Sequence, residues 1–322
     1  MFEYCITRPM GWIIEQIYNL VANYGLSIII FTILIKLILL PLNIRSQKAM
    51  KKQQKIQPIL QELQTKYSND KEKLQREMAK LYKENDVSLT GGCLPMLIQF
   101  PILIGLYRVI YAPLKYLLGV DVTSQSAIDR VAQLKDAMVQ AGHSIGNLAQ
   151  LDAAGILKNS QIQVSQWAQT LNGAMDEWAI NFNFCGLDIS NVPSVAMNYI
   201  MRADFSDWGK IALLLIPALA VITSILSNKI TMAQSGQKNT NPNADDSAAQ
   251  MSRTMTMMMP VMTGVFTFTL PAGLGVYWII SSVMQIVQQL ILNAYFNKKG
   301  DDIDVRIPEK KQLHGKKSKK RK

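Results

Sequence analysis

Residues 26–42 read LSIIIFTILIKLILLPL, an apolar run broken by one basic residue, Lys36, and by no acidic one. Four more runs follow, at 93–114, 209–227, 254–270 and 272–294. Each holds roughly 17 to 23 residues, the length a helix needs to cross about 30 Å of hydrocarbon. The composition agrees: 49% of the 322 residues are hydrophobic and only 18% charged, below the usual quarter, with a slightly positive mean hydropathy. A water-soluble enzyme with one ordinary core is excluded. The reading is an all-α polytopic membrane protein.

The net charge of +11 is local. Residues 45–90 hold eleven Lys/Arg and residues 297–322 hold eleven more, whereas 119–206 hold four against eight acidic residues. Basic loops stay cytoplasmic. Segment 45–90 and the tail are therefore expected inside and 119–206 outside, which requires five transmembrane helices with the N-terminus out and the C-terminus in. In chain order this gives an external N-terminus with an interfacial helix (1–24), spans one and two (25–118), an extracytoplasmic loop (119–206), spans three to five (207–296) and a basic tail (297–322).

Local patterns refine the plan. In Pro9–Asn23, Ile13, Ile14, Ile17, Leu20 and Val21 share one helical face near Trp12 and Tyr18, as in a helix lying in the outer interface. Met1–Met10 shows no signal-peptide pattern. Ile56, Ile59, Leu60, Leu63 and Tyr67, then Leu74, Met78, Leu81 and Tyr82, repeat at helical spacing around the turn-forming Ser68-Asn69-Asp70. Residues 46–85 are read as a mobile cytoplasmic helical hairpin. It either captures substrate and partners or is a solvated coiled coil with none. Pro95 and Pro101 should kink span two. Residues 126–178 are expected to be helical, 234–247 a flexible inside loop, and 270–273 a tight turn between spans four and five. Cys5, Cys93 and Cys185 have no metal-ligand spacing, and a Cys5–Cys185 disulfide stays open.

Enzyme chemistry has little to stand on. Asp and Glu are absent from all five spans, His143 and His314 lie outside them, and no phosphate loop occurs. One charge within the spans stands out, Lys36. A cation there costs roughly 2.5–3.5 kcal/mol on insertion scales unless water reaches it. Either its chain snorkels to the inner headgroups, or it stands in a hydrated pocket open to the cytoplasm. Other spans offer walls: Trp278, Ser281, Gln285 and Gln288 recur at spacings of 3, 4 and 3, and Thr263 and Thr267 are four apart. Gln99, Thr223 and Ser224 add polar groups. The alternative is that these side chains hydrogen-bond between helices and hold the bundle together. Met251, Met255, Met257, Met258, Met259 and Met262 give span four a soft surface for varied apolar partners, or simply fill it.

Four stretches in order carry a resemblance. They are Leu39-Leu40-Pro41-Leu42 before a Gln/Lys-rich helix with Gln57-Pro58, Gly91-Gly92-Cys93-Leu94-Pro95 on to Gln99-Phe100-Pro101 and Leu106-Tyr107, Met257-Met258-Met259-Pro260-Val261-Met262, and Pro271-Ala272-Gly273-Leu274-Gly275-Val276-Tyr277-Trp278. Over about 24–118 and 182–294 the sequence resembles the YidC/Oxa/Alb family of membrane protein insertases, in its shorter, Gram-positive-type form. The family places a basic residue, usually Arg, five positions before the span-one proline; Lys36 stands there, keeping the charge but not the bidentate fork. Tyr277 and Trp278 fall where the family has aromatic residues near its substrate groove. Ser88-Leu89 replaces the usual Asn-Pro, and 121–178 looks like an insertion.

The resemblance implies an insertase and chaperone, not an enzyme, with no cofactor. A substrate's short hydrophilic segment enters a cytosol-facing groove, attracted by Lys36 and flanked by Tyr277 and Trp278, and the polar pattern read above adds Gln99, Thr223, Ser224, Thr263, Thr267, Ser281 and Gln285 as its walls. Its apolar helix meanwhile slides into lipid along spans two and four. The partners it implies are nascent membrane proteins and the bilayer. Ribosome binding by the tail, through Lys316, Lys317, Lys319, Lys320, Arg321 and Lys322, stays open against anionic lipid or a bare topology signal, and so does a Sec translocon partner. The rival readings are a small-molecule transporter or channel subunit, which should show an internal repeat and membrane carboxylates, and a ribosome–membrane tether.

Overall fold

The computed structural model describes residues 2–86, 94–117, 180–202, 208–234 and 247–298. The insertion at 121–178, Gly91–Cys93, most of the 234–247 linker and the basic tail lie outside the described residues. The helices are α1 (Arg8–Val21, after a short π-helix Glu3–Thr7), α2 (Tyr24–Ile38), α3 (Leu40–Lys66), α4 (Lys71–Glu84), α5 (Leu94–Tyr111) and α6 (Pro113–Tyr116). After the strands β1 (Asn183–Phe184) and β2 (Leu187–Asp188) come α7 (Val195–Met201), α8 (Trp208–Ala212), α9 (Leu215–Gln234), α10 (Ser247–Thr269) and α11 (Ala272–Lys298). Trp208–Met232 and Ala272–Phe296, 25 residues each, are long and apolar enough to cross a membrane. Ile98–Tyr111 and Met258–Thr269 are shorter apolar helices.

Two compact units emerge. One comprises Met1–Leu39, Leu97–Asn228 and Asp245–Val287, the other Leu40–Met96, Lys229–Ala244 and Gln288–Lys322. The second contains the helical hairpin. Asp70 caps α4, its carboxylate accepting from the Lys73 N–H at 3.0 Å, as the turn residues imply. Ile56, Ile59, Leu60, Leu63 and Leu81 form a closed apolar cluster, with Tyr67, Leu74, Met78 and Tyr82 packed around it. Each buried aliphatic side chain contributes about 1.5–3 kcal/mol before ordering entropy is subtracted. The hairpin thus has a core of its own.

In the first unit, α1 buries Met10, Gly11 and Ile14 while Ile13, Ile17 and Tyr18 pack on the same core. Leu20, which the spacing groups with them, lies on the flank and is 86% exposed, as is much of Trp12. Such apolar exposure suits an interface with lipid. Glu3 ties the N-terminus down: Lys115 Nζ donates to Glu3 Oε1 at 2.7 Å, and the Tyr116 hydroxyl donates to the same oxygen at 3.4 Å. The hydrogen bond from Lys115, then its charge, holds the Glu3 carboxyl below the usual carboxylate range, and the same bond raises Lys115. A depressed carboxyl contributes stability above its unfolded pKa and loses it as pH falls through the lower folded value. A raised ammonium contributes below its ordinary pKa and loses only in strong alkali. The latch should therefore hold through neutral pH and release in acid. Protection of the Glu3–Thr7 amides, relative to their intrinsic exchange rate at each pH, should fall modestly in acid as Glu3 is protonated, and Glu3→Gln should flatten that dependence. Equal acid dependence in Glu3→Gln would assign the change to another group.

A cap not foreseen from the sequence closes this unit. β1 and β2 pair antiparallel through a two-residue loop, Cys185 (φ 53°) and Gly186 (φ 80°), both left-handed as a type I′ turn requires. Asn23 donates from Nδ2 to the Asn183 carbonyl at 2.7 Å, and the Tyr24 N–H donates to the Asn181 carbonyl. Cys5 and Cys185 are free and exposed. The segment after the hairpin serves both ends of the α10–α11 turn. The Ala272 and Gly273 N–H groups donate to the carbonyls of Asn191 and Ile189, and the Ser194 N–H donates to the Phe268 carbonyl. These bonds satisfy helix-end groups that would otherwise be orphaned.

The Trp208–Met232 span carries a turn at Leu213-Leu214, between α8 and α9. Pro217 is the cause: its ring clashes with the carbonyl four residues earlier and its nitrogen cannot donate. The Leu213, Leu214 and Ile216 N–H groups instead bond three residues back. Just beyond, a Cβ added at Gly275 would overlap Ile216 Cγ2, a stiff β-branched methyl. Gly275→Ala should therefore cost about 1–3 kcal/mol. Combined with Ile216→Ala it should show a favourable coupling of roughly 0.5–3 kcal/mol in a double-mutant cycle of unfolding in detergent. Additive losses would refute this contact.

Candidate functional site

Lys36 sits in the last turn of α2, where unpaired carbonyls give the helix end a partial negative charge that favours a cation. Its position on the helix is more telling. Ile28 and Thr32, at 0% and 1% exposure, are eight and four residues before it and so lie on the same line, whereas Ile33, Leu34, Leu37 and Ile38 form the exposed side. Lys36 continues the inward line and is half-buried.

The polar groups of the other spans resolve into distinct arrangements. Gln99 of α5 donates from Nε2 to the Tyr277 hydroxyl of α11, and Ser281, one turn on, hydrogen-bonds the same hydroxyl. Tyr277 is 2% exposed and Ser281 7%. A hydrogen-bonded network of this kind suits a low-dielectric setting. Beside it Trp278, half-buried, stacks on Phe266 of α10 with centroids 6.1 Å apart and planes at 20°.

The threonines behave differently. Thr223 donates to the Leu219 carbonyl at 2.8 Å, Thr263 to that of Met259 at 3.0 Å, and Thr267 to that of Thr263 at 2.8 Å. Each hydroxyl proton is held by its own helix, so these bonds do not join helices. Ser224 is buried, and Gln285 is exposed although Ser281 and Gln288 on the same spacing are buried. That stripe straddles the edge between packed and exposed surface. The six tail residues, Lys316, Lys317, Lys319, Lys320, Arg321 and Lys322, lie outside the described residues.

In the second unit, two side-chain hydrogen bonds could not be read from sequence, although Gln288 itself stood out by its spacing. Asn43 donates to Gln288 Oε1 at 3.2 Å, and Gln289 donates to Thr231 Oγ1 at 2.6 Å. Amides embedded in apolar runs were the available signal. Apolar surface is plentiful elsewhere: Phe100 and Ile104 on α5 and Met258, Val261, Met262 and Val265 on α10 are exposed. An open crevice of about 550 Å³ between Pro217, Ala218, Val221 and Ile222 of α9 and Gly264, Val265 and Phe268 of α10 is wholly apolar. Among the described residues no cluster of His, Cys, Asp or Glu could hold a metal ion.

Comparison with known proteins now adds to this geometry. The profile of the family described as 60Kd inner membrane protein matches residues 16–299. A relative from Listeria innocua, described as membrane protein insertase YidC 2, is 28% identical over 303 residues, covering 92% of this chain and 74% of the relative. One from Treponema pallidum, membrane protein insertase YidC, is 26% identical over 289 residues, 90% of this chain and 35% of that protein. A third, from Beijerinckia indica and of the same description, is 43% identical over 114 residues, 35% of this chain and 19% of its own length. The chain thus spans most of the Listeria protein but about a third of the Treponema one. The match places the chain in the bacterial cell membrane as a multi-pass protein.

Proposed function

The chain belongs to the YidC/Oxa/Alb family, and from that premise we propose that it is a membrane protein insertase and chaperone working without catalytic residues or a cofactor. Five crossings with the N-terminus outside, as the charge pattern implies, put Lys36 near the cytoplasmic side. One observation carries the groove reading: Lys36 continues the buried line of α2 instead of joining its exposed side. A snorkelling lysine would be equally content on the lipid face.

Magnitudes say why such a site would help. A substrate span of about 20 apolar residues gains roughly 0.3–0.6 kcal/mol per residue on insertion, some 6–12 kcal/mol in all, while each charged residue costs about 2.5–3.5 kcal/mol. Insertion of a span with a short charged segment is therefore downhill, and what opposes it is the barrier of carrying the charges through hydrocarbon. A positive, water-accessible recess lowers that barrier. The exposed apolar surfaces of α5 and α10 give the substrate helix a path beside it. Nascent membrane proteins are the substrates on this reading.

The test is reconstitution into liposomes with a short single-span substrate, scored by protease protection of its hydrophilic segment. Protection well above that in empty liposomes is expected. Protection equal to that of protein-free vesicles would overturn the reading.

A further inference from the structure

We propose that the first half of α3 carries a docking face for anionic phospholipid headgroups, formed by Arg45, Lys48, Lys52 and Lys55. The spacings of 3, 4 and 3 set these residues on one stripe of the helix. Arg45 and Lys48 are exposed, and Lys52 and Lys55 half-exposed. No acidic residue occurs from Leu40 to Gln61. At about 100° per residue, the stripe faces away from Asn43, which bonds Gln288 of α11, and from Ser46, 4% exposed, while Lys51, over the Phe296 ring at 4.9 Å, borders the stripe beside Lys55.

The excess of positive charge is not a property of the whole hairpin. In α4, Glu72, Glu77 and Glu84 interleave with the basic residues, and Arg76–Glu72 and Lys80–Glu84 form i,i+4 ion pairs. Charge is concentrated instead where the chain leaves span one. At about 1.5 Å per residue, Arg45 is roughly 6 Å past Pro41 and Lys52 roughly 16 Å, even if the helix runs along the membrane normal. The headgroup layer adds about 5–8 Å to each side of the hydrocarbon, and the Debye length at physiological salt is about 8 Å. Most of the stripe therefore lies within electrostatic reach of the headgroups. A basic cluster directly inside a span is the arrangement that gathers anionic lipid. The stripe carries no aromatic side chain for base stacking, and its position favours a lipid surface over RNA.

This inference rests on the inside placement of the hairpin proposed above, and the experiment separates the two. The full chain and the quadruple variant Arg45→Gln, Lys48→Gln, Lys52→Gln, Lys55→Gln are reconstituted in phosphatidylcholine vesicles with rising fractions of phosphatidylglycerol. Amide exchange is followed at 45–55, with 71–84 as an internal control for folding. A membrane-impermeant thiol reagent, applied in cells to a cysteine introduced at Gln75 with Cys5, Cys93 and Cys185 replaced by serine, reports the side on which the hairpin lies. Exchange at 45–55 should slow about tenfold with phosphatidylglycerol, recover with salt, and lose this dependence in the variant, while 71–84 stays unchanged. Inside labelling without lipid dependence, or equal dependence in the variant, would overturn this inference alone. Outside labelling would overturn the topology with it. Protection produced by added ribosomal RNA but not by phosphatidylglycerol would transfer the stripe to RNA and end the lipid assignment.

Discussion

Lys36→Glu should lower insertion of substrates with acidic translocated segments about tenfold or more, corresponding to about 1.4 kcal/mol or more on the limiting barrier. Lys36→Ala should impair it less, and Lys36→Arg should retain it. The order follows from charge: glutamate repels an acidic segment and also sits unfavourably at the carbonyl end of α2, where a cation is favoured. Arginine keeps the attraction and changes only its geometry. Because the residue continues the buried line of Ile28 and Thr32, a fold defect must be told apart from a groove defect. Substrates with neutral translocated segments provide that control, since they should be far less sensitive to all three changes. Uniform loss across both substrate types would point to damaged packing, and normal insertion of acidic segments by Lys36→Glu would end the attraction role.

What the sequence made legible was mostly local. The hairpin's apolar positions are set by helical periodicity within two short segments, so Ile56, Ile59, Leu60, Leu63, Leu74, Met78, Leu81 and Tyr82 meet in one cluster as their spacing requires. The turn in span three was not read from the sequence: Pro217 acts on the carbonyl four residues before it, but the apolar continuity of 209–227 masked that signal. The β-hairpin was not legible. Strands of two residues carry no alternation, its turn is Cys-Gly in place of the usual Asn-Gly, and its place is fixed by Asn23 and Gly25 some 160 positions away. The candidate site divides the same way. Polar residues in apolar spans can be picked out one by one, but spacing along one helix cannot say which neighbour it meets. Gln99 and Tyr277 were each visible and their hydrogen bond was not. The threonines, satisfied by their own backbones, differ from Gln99 in a way that only the fold reveals.

Cutting the chain after Ile307 should remove most of the salt-sensitive binding of the protein to ribosomes. Lys310, Lys311, Lys316, Lys317, Lys319, Lys320, Arg321 and Lys322 place eight positive charges in thirteen residues, with His314 and no aromatic side chain among them. Without a stacking surface, sequence-specific RNA readout has nothing to work with. Attraction to phosphate alone does not need one. A contact of about 6–10 phosphates loses roughly 10³–10⁵ in affinity between about 50 and 200 mM salt, because each neutralised phosphate releases counterion. Ribosome co-sedimentation across that range should therefore fall steeply for the full chain and start low, with a shallow slope, for the truncated one. Anionic vesicles free of ribosomes give the competing measurement, since a lipid anchor would show the same salt dependence there. If truncation leaves the ribosome curve unchanged, the tail acts on topology or lipid, and any ribosome contact must come from elsewhere on the cytoplasmic surface.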